Sequence, residues 1–130
     1  MVNVPGVAAP DHPDETRRLD ELHRLGLMDT PPEKRFDDIT RLTARVFGVP
    51  IVLITLVDRH RQWFKSRFGI DACETSRDNA FCAHALLERK LLVIEDTTRD
   101  ARFRDHPLVT ETPYIRFYAG AVIRTAAGLP

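Results

Sequence analysis

No apolar run in this chain approaches the ~20 residues that span a bilayer, and the first residues hold neither a basic segment nor a long apolar one. Membrane insertion and a secretory leader are therefore not expected, and the reading is of a soluble cytoplasmic domain. Net charge is missing too, because 19 basic residues balance 19 acidic ones. Without a basic face or a recognition motif, no nucleic-acid partner is expected. Lysine is scarce, with Lys34, Lys65 and Lys90 against sixteen arginines, a skew that fits genome composition better than mechanism. Cysteine is nearly absent. Cys73 and Cys82 stand nine positions apart with no CxxC, so reduced thiols are a better reading than a structural disulfide. His23, His60, His84 and His106 lack ligand spacing, which argues against a metal site. There is no phosphate-binding glycine loop, Ser/His/Asp set or paired-carboxylate motif.

What remains is ordinary globular material: 130 residues, 43% apolar and 29% charged, enough for one domain with a core. Residues 1–14, with Pro5, Pro10 and Pro13, read as a flexible tail ahead of a single domain over 15–130. Leu19, Leu22 and Leu25 recur at helical spacing between Glu15 and Leu27. Thr30, Pro31 and Glu33 form a capping box for a second helix, whose face runs through Phe36, Ile39, Thr43, Val46 and Phe47 to a stop at Gly48. Ile51 to Val57 is apolar and β-branched, as in a central strand covered on both faces. After a polar turn, Gln62 to Gly69 returns as its hairpin partner, with Phe64 and Phe68 on one face and Trp63, Lys65 and Arg67 on the other. Asp78 is placed to cap a helix from Asn79 to about Glu88. Leu91 to Glu95 is a short strand, Asp100 to Val109 a loop with one helical turn stopped near Pro107, and Ile115 to Thr125 a last strand. This order predicts an α+β fold on a mostly antiparallel sheet.

The chemistry-bearing stretch runs from Arg77 to Gly120. Cys82 and His84 share a helix and invite comparison with a nucleophile and its base. Residues two apart on a helix point about 200° away from each other, so this pair does not form a dyad. Cys82 then reads as a small buried hydrophobe beside Phe81, Ala85 and Leu86, or as a redox or attachment site near a helix N-terminus. His84 reads equally as a pocket hydrogen-bonder and as a satisfied structural histidine. Asp96 and Asp100 suit turns and caps. Along the last strand Arg116, Tyr118 and Gly120 alternate with apolar residues. Their face offers a guanidinium, a phenol and open space, either to a ligand cavity or to an Arg116 ion pair with Asp96 or Asp100.

Taken in order, Leu27 to Pro32, Phe36-Asp37, Val49-Pro50-Ile51, Val57-Asp58, Arg61 to Ser66, Phe81 to Ala85, Asp100 to Phe103 and Arg116 to Gly120 resemble the GAF family of bacterial sensory domains. The likeness is to the subclass at the N-terminus of sensor histidine kinases and of proteins that make or degrade cyclic diguanylate. It implies a GAF/PAS-like antiparallel sheet with helices on one face and a pocket on the other. On this chain the pocket residues would be Phe81, Cys82, His84, Asp96, Phe103, Arg116 and Tyr118. The resemblance implies no catalysis, names no cofactor and specifies no metal. It implies a small-molecule ligand or homodimerisation, and an output domain in the same parent chain. Ala83 separates Cys82 from His84, unlike the Cys-His dipeptide of many bilin-attaching members. The family continues with a further central strand and a closing helix that this chain lacks, so dimerisation or strand exchange is expected to cover the gap. The other readings are a thiol-based redox sensor or small redox enzyme using Cys82, and a constitutive dimerisation scaffold.

Overall fold

The computed structural model describes residues 7–130; the first six residues of the expected tail lie outside them. Helix α1 spans Glu15–Arg24 and buries Leu19 and Leu22. It ends before the expected Leu27 because Gly26 takes a left-handed conformation (φ 63°) that breaks the ladder. Helix α2 spans Lys34–Phe47 and stops, as expected, at Gly48 with φ 62°.

The expected capping box does not form. Thr30 Oγ donates to Leu27 O (2.6 Å) and accepts from Lys65 Nζ (2.7 Å). Lys65 Nζ also donates to Pro31 O and pairs with Glu33, both at 2.8 Å. Both capping side chains are thus spent on one ammonium, whose side chain is 1% exposed, and the helix starts three residues late.

Strand β1 (Val52–Val57) pairs antiparallel with β2 (Arg61–Phe68). Ile54 faces Ser66 while Thr55 faces Phe64, so Lys65 is the extra residue of a bulge. A bulge re-aims a side chain, and Lys65 here reaches Thr30, Pro31 and Glu33 at the approach to α2. Next to it, Ser66 Oγ donates to Asp37 Oδ1 (2.6 Å) and lies 3.0 Å from Thr40 Oγ. These contacts pull the small side of α2, Thr40 and Ala44, onto the sheet. The larger apolar residues of α2 stand open to water, with Ile39, Leu42, Val46 and Phe47 each more than half exposed.

Strand β3 (Glu74–Ser76) pairs antiparallel with the start of β2. The sheet order β1-β2-β3 leaves β1 at an edge, and its residues are half-buried except Val57. Helix α3 (Phe81–Ala85) leads to β4 (Leu91–Ile94), α4 (Pro107–Thr110) and β5 (Tyr118–Ala121). Strands β4 and β5 make a separate antiparallel pair, shorter at its second strand than expected. Pro107 opens α4 rather than stopping a turn, because His106 Nδ1 accepts from Leu108 N (3.0 Å) as its cap. The architecture is α+β with antiparallel strands. Its main apolar cluster joins Phe81, Ala85, Leu92, Ile94, Phe103 and Val109.

Replacing Lys65 by Met leaves Thr30, Pro31 and Glu33 without their shared donor. Since Glu33 is partly exposed and can turn to water, the expected loss is about 2–3 kcal/mol in urea denaturation.

Candidate functional site

Two short elements and one strand bring most of the predicted residues together. A 3-10 turn over Arg77–Asn79 precedes α3, and Ala80, in extended conformation, stands where the sequence placed helix interior. Asp78 is therefore not a cap, and the helix is five residues long instead of about ten. The reason lies at Arg77, which is drawn inward by Glu15 and by Asp58 O (3.2 Å) and turns the chain before α3 begins.

Phe81 is the hub. Its ring stacks on Phe103 at 4.6 Å and on Tyr118 at 5.2 Å, and lies 4.8 Å from His106. Pairs at these separations add to the area they bury. Tyr118 O–H donates to Cys82 Sγ at 3.2 Å. Burial pushes the Cys82 thiol up from its ordinary pKa, despite hydrogen bonds from Tyr118 and Thr55, and burial likewise raises the Tyr118 phenol. Cys82 is thus held as a neutral thiol with no imidazole beside it, and neutral thiols are poor nucleophiles.

His84 is 8% exposed, edge-on to Phe103 at 4.8 Å, and its Nε2 donates to Val7 O at 2.8 Å. Burial lowers its pKa against the pull of that carbonyl. His106, which sequence reasoning left without a role, is the second buried imidazole. Its Nε2 donates to Asn79 O (2.8 Å) and its Nδ1 accepts from Leu108 N, which fixes one neutral tautomer. A histidine directly before a proline at a helix start was the available signal.

Two predicted residues do not join this group. Asp96 Oδ1 accepts from Thr98 N (3.0 Å) and Thr98 Oγ (2.6 Å), capping a 3-10 turn over Thr97–Arg99. Arg116 donates to Val109 O (2.8 Å) and Ile115 O (3.2 Å) and makes no ion pair with Asp96 or Asp100. Asp100 is taken by Arg102 (2.8 Å).

The open space expected over Gly120 is filled by the chain itself. A methyl placed on Gly120 would collide with the Tyr118 hydroxyl and lie 2.8 Å from its Cζ. The phenol ring is folded along the strand, and the aromatic stack closes over it. A cavity of about 400 Å³ lies instead on the α2 side, bordered by Asp37, Arg41, Trp63, Arg67 and Cys73. There Arg67 Nη1 contacts the exposed Cys73 sulfur at 2.7 Å. Gln62 and Thr75 are cross-strand partners, and each keeps a buried side-chain oxygen without a hydrogen-bond partner, as does Asn79. Among the described residues no three His, Cys, Asp or Glu side chains gather as a metal site would need, and no helix is long and apolar enough to cross a membrane.

A family model described as GAF domain matches residues 31–128. The chain is also 41% identical over 124 residues to the cyclic di-GMP phosphodiesterase of Pseudomonas aeruginosa, an alignment covering 95% of this chain and 21% of that protein. The chain thus spans about a fifth of that relative's length.

Two substitutions separate the roles of the phenol. Gly120→Ala forces the Tyr118 ring off Phe81 and is expected to cost about 1–3 kcal/mol, as overpacking does. Tyr118→Phe keeps the stack and loses one hydrogen bond, about 1 kcal/mol. Chemical denaturation measures both.

Proposed function

Because the chain belongs to the GAF family, we propose that it is a non-catalytic sensory module of a bacterial signalling protein. It takes a small molecule beside α3 and β5 and passes the change to an output domain of the same parent chain. The observation that carries this reading is the setting of Cys82. Cys82 is half-buried, its thiol raised in pKa by desolvation and bonded by a phenol, while the nearest predicted base, His84, is turned to Val7. A covalent mechanism needs the nucleophile within reach of its base. An aromatic-lined interior with a few polar groups is the usual make-up of a small-molecule site, and Phe81, Phe103, Tyr118 and His106 supply it. In this form of the chain the Tyr118 ring occupies that interior, so a ligand would enter by displacing it.

The relative named as a cyclic di-GMP phosphodiesterase favours an output domain that acts on cyclic diguanylate over a histidine kinase. A second reading, a dimerisation scaffold without ligand, is favoured by α2, whose Ile39, Leu42, Val46 and Phe47 stand in water. A thiol-based redox sensor is the third, and the raised pKa of the Cys82 thiol beneath Tyr118 speaks against it.

Native mass spectrometry of the protein purified from its own host separates the first two. A retained small molecule on each chain is expected, and a bare dimer would favour the scaffold. Thiol titration tests the third. In a Cys73→Ser background, Cys82 is expected to stay unreactive until denaturant is added, and rapid labelling of the folded chain would revive the redox reading.

A further inference from the structure

Strand β2 runs from Arg61 to Phe68, but β3 pairs only with its start, Arg61 to Trp63. Phe64 N still donates to Cys73 O (3.0 Å). Beyond that bond the strand, α2 and the loop that carries Cys73 part, and the cavity of about 400 Å³ lies between them. Its volume falls at the small end of the range for ligand sites, so an occupant has to be small.

Most polar groups at this cavity are already used. Lys65 is met by Thr30, Pro31 and Glu33, and Asp37 accepts from Ser66 Oγ. The two guanidinium groups are not so engaged. Arg67 meets no carboxylate among the described residues: its Nη1 donates to Ala72 O (3.0 Å) and touches Cys73 Sγ (2.7 Å). Arg41 Nη1 stands 3.5 Å from Asp38 Oδ1, at the outer limit of a hydrogen bond, and Lys34 holds the other oxygen of Asp38. Lys65 with Glu33 and Lys34 with Asp38 cancel, so Arg41 and Arg67 outnumber Asp37 by one charge. Trp63 and Phe68 supply apolar wall to the same cavity.

A guanidinium without a carboxylate is a fork of donors suited to a planar anion. The aromatic wall beside it gives a surface for a ring. A surplus of one positive charge suits a monoanion better than a dianion. We propose that this cavity is a second ligand site, specific for a small aromatic carboxylate. Its acid group meets the Arg67 fork, with Arg41 on the α2 wall, and its ring lies against Trp63. The site shares no lining residue with the interior beside α3, so it stands or falls apart from the sensory reading.

Heteronuclear NMR of the full chain, titrated with benzoate, reads the site through the Trp63 indole N–H, the Arg67 Nε–H and the backbone amides of α2. These signals are expected to shift together and to saturate. Benzamide keeps the ring without the charge, and acetate keeps the charge without the ring. Each is expected to bind at least about tenfold more weakly, the worth of a charged hydrogen bond or of the buried ring. Arg67→Gln alters an exposed side chain outside the apolar clusters, so the fold is expected to persist. Its benzoate affinity is expected to fall to that of benzamide. Alkylation of the exposed Cys73 by iodoacetamide is an independent reading. Benzoate is expected to slow it in the wild type at the concentrations that shift the NMR signals. Shifts that stay linear in benzoate overturn the proposal, and so does an unchanged rate at Cys73. Equal binding of benzamide and benzoate, or an Arg67→Gln protein that binds as the wild type does, overturns it as well. Tighter binding of phenyl phosphate than of benzoate overturns the choice of a carboxylate.

Discussion

The ammonium of Lys65 is the interaction on which the α2 half of the molecule depends. A buried cation is tolerated only when its donors are all met, and here Thr30, Pro31 and Glu33 meet them. One bulge residue thereby fixes the approach to α2, the start of that helix and its rotation on the sheet. Ser66, Asp37 and Thr40 extend the same polar seam one residue on. The helix is seated by hydrogen bonds and small side chains, and its larger apolar residues are left outside.

The α3 half is organised differently. Phe81, Phe103 and Tyr118 form a stacked aromatic interior, with His106 against one side and Cys82 beneath the phenol. Polar contacts occur at its margin, where His84 and His106 reach backbone carbonyls of neighbouring segments. Alternation along the strands puts the two halves on opposite faces of β1 and β2: Ser66, opposite Ile54, meets α2, while Val57, three residues on, meets α3. The hairpin thus lies between the aromatic interior and α2.

What could be read in the sequence were the features with local causes. Gly48 ends α2 because its left-handed conformation is intrinsic to glycine, and the apolar run before Asp58 forms a strand by its own composition. The group of Phe81, Cys82, His84, Phe103 and Tyr118 was foreseen from residue type and family likeness. Its failure to leave open space was not, because the fold of Tyr118 over Gly120 is a tertiary choice. The same holds for the capping box at Thr30. Its local logic was sound and was overridden by a lysine 35 positions away. Asp96 and Arg116 went to backbone partners nearby, which alternation alone does not reveal.

Trp63 is the single tryptophan of the chain, and it borders the α2-side cavity rather than the aromatic stack. The molecule therefore carries its natural optical reporter on the face opposite Phe81 and Tyr118. Indole emission follows events at α2 and the hairpin, while the interior beside α3 is spectroscopically quiet at those wavelengths. A binding event there that leaves the hairpin unmoved passes without a change in tryptophan emission, so silence in such an experiment carries information about coupling rather than about occupancy.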